Sequence, residues 1–166
     1  VWLTTTQRKP YQQMTIMAQG IVEMNPNKPD GVQDDLNPNL FLQPTLSTMC
    51  DTDMKSFADC YVPRINRANL IRLSEAILEH IPYVSNQTSV HTSAIEAFQR
   101  RQGVCQDHSH VMIAMCKYLG IPARYVSGYL YVPHTAHLAS HAWVEAYLND
   151  TWYCFDISNQ LFTPQS

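Results

Sequence analysis

Apolar residues recur at three-to-four spacing between residues 51 and 119, then change to strand-like runs after residue 124. Residues 51–61 predict a short helix, capped by Asp51 or Thr52, with Met54, Phe57, Ala58 and Tyr61 on one face. Residues 69–81 place Leu70, Leu73, Ile77, Leu78 and Ile81 at helical spacing, and Pro82 stops the run. A further helix is expected over 94–102, because Ser93 and Glu96 form a capping-box pattern and Gly103 suits its exit. Another begins near Cys105. Its buried stripe is Val111, Met112, Met115, Tyr118 and Leu119, with Gly120 as the cap and Pro122 just beyond. Residues 124–132 then read as a strand and 133–140 as a loop. Residues 141–148 and 151–157 form a hairpin around Asn149-Asp150. Helices followed by antiparallel strands indicate an α+β fold. Before all of this, residues 11–24 read as one or two strands and 25–39 as loop.

Composition bounds the rest. A chain of 166 residues, 45% hydrophobic, suits one compact domain with a partial second module. We read residues 1–50 as the remnant of an N-terminal β-rich module plus linker, and 51–166 as the core domain. The net charge of −3 gives no basic surplus for nucleic acid, and the apolar runs are too short to span a bilayer. Val1 opens the chain without Met and without a charged, then apolar, leader, so a fragment lacking a signal peptide is expected. The five cysteines are odd in number and include no Cys-x-x-Cys pair. Reduced thiols and a cytoplasmic location follow as expectations.

The chemistry centres on Cys105, which falls where the loop Gly103-Val104 enters a helix. Unpaired N–H groups at a helix start stabilise a thiolate, and later an oxyanion once that thiolate has attacked a carbonyl. Its neighbours Gln102, Gln106, Asp107 and His108 are polar, whereas Cys116 lies in the apolar part of the same helix and reads as core. A thiol nucleophile needs a base, and the base an orienting group. If Asn149-Asp150 is a two-residue turn, Leu148 faces Thr151, His141 faces Ser158 and Trp143 faces Asp156. His141 and Asp156 then share one face as diagonal neighbours, about 7–8 Å apart at the backbone, which a His–Asp hydrogen bond spans. A three-residue turn would put them on opposite faces. Arg124 is expected to pair with an acid, Glu145 shares the face of His141, and Asp107 either caps the helix or points at the groove.

These residues resemble a family. Gly103-Val104-Cys105-Gln106-Asp107-His108-Ser109-His110 is similar to the nucleophile segment of the transglutaminase-like superfamily, especially a bacterial branch that carries the label cysteine protease. Leu119-Gly120-Ile121-Pro122-Ala123-Arg124-Tyr125-Val126-Ser127-Gly128-Tyr129 resembles the segment that follows it. Ser140-His141-Ala142-Trp143-Val144-Glu145 resembles the histidine segment, and Trp152-Tyr153-Cys154-Phe155-Asp156 the aspartate segment. The resemblance implies a papain-like α+β core with a helix packed on an antiparallel sheet. It implies Cys105 as nucleophile, His141 as base and acid, Asp156 as orienter of His141, and neither metal nor other cofactor. Gln102, just before the nucleophile, and Tyr83, upstream near the groove, are the candidates for a second oxyanion donor. Two departures stand out. Ile157-Ser158-Asn159 replaces a usual Pro-Thr, and the β-sandwich usual before the core is truncated or absent.

The expected activity is acyl transfer on amides, foremost hydrolysis of a peptide or protein substrate. Protein-glutamine transglutamination is the alternative, because the same triad serves whichever acceptor reaches the thioester. A non-catalytic binding module is a further alternative, disfavoured by an intact Cys, His and Asp. A zinc site would draw on Cys105-x-x-His108 and His134-x-x-His137. Against it, one pair lies three apart on a helix and the other on a loop.

Overall fold

The computed structural model describes residues 36–129 and 140–163, with Pro10, Gln12, Gln13 and Thr15 besides. The strands expected within 11–24, most of the 25–39 loop, the end of the 124–132 strand, His134 and His137 lie outside the described residues.

The first three α-helices each start on a side-chain cap. Asp51 accepts the Met54 N–H at 2.9 Å to open α1 (Thr52–Tyr61), and Asn66 accepts the Asn69 N–H at 2.8 Å to open α2 (Arg67–His80). Ser93 and Glu96 close a capping box on α3 (Ala94–Arg100), with Ser93 N–H donating to Glu96 Oε2 at 2.9 Å. The exit of α3 differs from expectation. Arg101, not Gly103, takes the left-handed position, at φ 54°. The fourth helix, α4 (Cys105–Tyr118), buries Val111, Met112 and Met115 but not Tyr118. That tyrosine is exposed, its hydroxyl donating to Asp59 at 3.0 Å, because the polar end finds a partner at the surface. Gly120, at φ 75°, ends the helix in a paired cap. Gly120 N–H donates to Lys117 O and Ile121 N–H to Cys116 O.

Four strands follow as an antiparallel meander in the order β1-β2-β3-β4. They are β1 (Ala123–Tyr129), β2 (Ser140–Leu148), β3 (Thr151–Asp156) and β4 (Leu161–Thr163), the last not foreseen in the sequence. Asn149 and Asp150 both have positive φ, 48° and 60°, and Leu148 pairs with Thr151. That is the two-residue turn whose twist matches the strands. Helix α4 packs on β1 and β2, so Val144, Ala146 and Phe155 meet Val111, Met112 and Met115 in one core. The other sheet face carries Arg124, whose Nε donates to Glu145 at 2.7 Å and whose guanidinium stands 4.1 Å from the Trp152 ring centroid.

Candidate active site

Cys105 is the first residue of α4 and is half-buried. Val104 before it has no side-chain oxygen to offer the N–H groups of the first turn. Asp107 instead reaches back, its Oδ2 accepting the Val104 N–H at 2.8 Å. The same oxygen accepts the Thr88 hydroxyl at 2.6 Å, which ties the 85–92 loop to the nucleophile turn. Asp107 is therefore a cap and is fully buried. It also accounts for Gly103, since a Cβ there would sit 2.7 Å from Asp107 Cβ.

A second tie comes from the segment after α2. Gly103 N–H donates to Pro82 O at 3.3 Å and Val84 N–H to Gly103 O at 2.8 Å, a parallel bridge that lays Tyr83 alongside the nucleophile turn. Tyr83, Cys105, Gln106, Tyr125, Ser127 and His141 are among the residues lining a cleft of about 340 Å³. The lining adds Ser85, Asn86, Thr88 and Ser140, so it is rich in hydroxyls and amides, and among the described residues it holds no Lys, Arg, Asp or Glu. Of the two oxyanion candidates, Tyr83 is in this lining. Gln102 is not, and the amides there belong to Asn86 and to Gln106, the latter donating to Ser89 O at 3.2 Å.

His141 lies near the start of β2, with Asp156 at the end of β3. The register brings them onto one face, and His141 Nε2 lies 2.8 Å from Asp156 Oδ2. Asp156 is buried. A carboxylate only accepts, so Nε2 carries a proton and donates in this bond. Asn159 entered the sequence reading only within the Ile157-Ser158-Asn159 departure, with no role given to it. Its Nδ2 donates to the same Oδ2 at 2.8 Å and stands 3.1 Å from His141 Nε2, while its backbone N–H donates to Asp156 Oδ1 at 3.2 Å. Two donors thus converge on one carboxylate oxygen. An Asn three residues after the acid was the available signal, but nothing local said the chain would turn back there.

Two other cysteines are set apart by burial. Burial pushes the Cys116 thiol up to about 12, and burial chiefly pushes Cys50 up to about 11, so neither is a nucleophile at neutral pH. Both ring nitrogens of His108 are held by protein groups, so neither is free to form a ligand pair with Cys105. Tyr125 sits close enough to Cys105 and Asp107 to feel both, and burial first, then those charges, raises its hydroxyl above the usual tyrosine value.

The sequence profile of the transglutaminase-like superfamily matches residues 63–157. An uncharacterized protein of Mycobacterium leprae is 30% identical over 93% of this chain and 61% of its own length. An uncharacterized protein of Mycobacterium tuberculosis is 26% identical over 74% of this chain and 45% of its own. The chain thus spans about half to three-fifths of the curated relatives it matches. Among solved structures, a "putative cysteine protease" from Cytophaga hutchinsonii is 31% identical with a TM-score of 0.64, over 76% of this chain and 44% of that one. The periplasmic domain of TgpA from Pseudomonas aeruginosa shares the fold, with a TM-score of 0.56 at 22% identity, over 76% of this chain and 51% of that one.

Proposed function

Because the chain belongs to the transglutaminase-like superfamily, we propose that Cys105, His141 and Asp156 act as a catalytic triad that cleaves an amide bond in a peptide or protein by acyl transfer. The observation that carries this reading is the 2.8 Å His141–Asp156 bond in the wall of the cleft that Cys105 opens onto. With Nε2 donating to Asp156, Nδ1 is the base that takes the Cys105 proton. The thiolate attacks the amide carbonyl carbon, and the C–N bond breaks as His141 returns the proton to the leaving amine. Water then attacks the thioester, His141 taking its proton and giving it to the departing sulfur. The oxyanion of each step is held by the Cys105 backbone N–H, with the Tyr83 hydroxyl as the second donor. The neutral polar lining favours an acyl chain that hydrogen-bonds without bearing charge.

The test has two parts. Iodoacetamide near neutral pH should alkylate Cys105 selectively, as found by peptide mapping, and His141→Ala should abolish that selectivity. Turnover of a glutamine-containing peptide should fall by about 10⁴-fold in Cys105→Ala. Equal labelling of all five thiols, or a variant as active as the parent, would overturn the triad. Running the assay with and without excess primary amine separates hydrolysis from transglutamination.

A further inference from the structure

His108 is fully buried one helical turn beyond Cys105, and the mechanism above does not use it. Its Nε2 lies 2.7 Å from the Ile81 carbonyl oxygen, which can only accept, so Nε2 holds the ring proton and donates. Nδ1 is then an acceptor, and the Ser158 hydroxyl donates to it at 2.8 Å. The ring is thereby fixed in one tautomer between two segments distant in sequence. Ile81 leads through Pro82 into Tyr83, the cleft wall bridged to Gly103. Ser158 stands in the turn between β3 and β4, two residues beyond Asp156 and beside Asn159. A buried imidazole costs desolvation that an apolar side chain of similar size would avoid. What it adds is two directional bonds, one to each side of the site.

We propose that His108 and Ser158 together are positioning residues, a strut that sets the spacing between the nucleophile helix and the turn carrying Asp156. The proposal rests on the triad reading. His141 is held by Asp156 and Asn159, so any drift of their turn relative to α4 carries His141 away from Cys105. The register of the hairpin alone does not fix that distance, because it orders β2 and β3 among themselves and leaves α4 out. The only side-chain hydrogen bond between α4 and the 157–160 turn among the described residues is this one.

The variants are Ser158→Ala, which removes the donor, and Ser158→Thr, which keeps it. The rate of Cys105 alkylation is measured from pH 5 to 9, with kcat and KM for the peptide and the thermal midpoint. Ser158→Ala should slow alkylation at pH 6.5 by about tenfold and lower kcat by a similar factor at unchanged KM. Ser158→Thr should restore both. An unchanged alkylation profile in Ser158→Ala, with or without a lower thermal midpoint, would overturn the strut and leave the hydrogen bond a matter of stability. If Cys105 of the parent shows no selective reactivity, the triad reading fails instead. The strut is then read from the His141 ring resonances by NMR. Displacement in Ser158→Ala and recovery in Ser158→Thr support it, and unmoved resonances overturn it.

Discussion

At the scale of single residues, a glycine beside the cleft leaves room for a carboxylate. A Cβ at position 103 would meet Asp107 Oδ2 at 2.9 Å, the oxygen that accepts both the Val104 N–H and the Thr88 hydroxyl. Gly103→Ala must displace that carboxylate and strand two donors, so we expect a loss of about 1–3 kcal/mol in urea unfolding. The loss should be smaller in a Thr88→Val background, where one of those donors is already gone. Cys105, His141 and Asp156 were candidates from sequence because each sits at a locally readable place, a helix start, a strand start or a strand end, and because the family resemblance joined the three. Asn159, Ser158 and the partners of His108 could not. His108 and Ser158 are 50 residues apart and meet only through packing of helix on sheet.

At the scale of elements, the hairpin carried the most information. A two-residue turn fixes the pairing of every residue on both strands, and parity then decides which side chains meet. Asn149 and Asp150 supply that turn because both tolerate positive φ. Asn149→Val should therefore cost about 1–2 kcal/mol in urea unfolding. Asp150→Gly, which yields the most favoured pair for this turn, should cost nothing or stabilise. Equal destabilisation by both would mean that backbone conformation does not govern the turn. The helices were legible for a similar reason, through caps and apolar spacing. Two elements were not. The exit of α3 fell to Arg101 because Gly103 is reserved for the Asp107 contact, and β4 is three residues long, too short to show an alternating pattern.

At the scale of the whole molecule, one buried and one half-buried histidine set a pH limit. Burial lowers His108 below its ordinary 6.5, against weaker opposing effects of the Ile81 carbonyl, Asp107 and Asp156. Burial likewise lowers His110, opposed by the Thr92 backbone and Asp107, beside the Tyr125 ring. The folded state then binds fewer protons than the unfolded chain just below pH 6.5. The stability these rings contribute is complete above that value and is lost as pH falls through it towards their folded pKa values. Urea midpoints should decline between pH 7 and 5, and His110→Gln should flatten the decline. A profile unchanged by that substitution would place the proton uptake elsewhere.

The meander has one more consequence, which concerns order in time. Strands β1 to β4 each pair with the next in sequence, so His141 and Asp156 meet through a local hairpin. Cys105 belongs to a helix that leaves the ribosome before that hairpin exists. Until the finished sheet docks against α4, the chain carries a cysteine without its base. On the proposed chemistry, Cys105 acquires its base only when the sheet is docked on α4, so its activation is tied to completion of the fold.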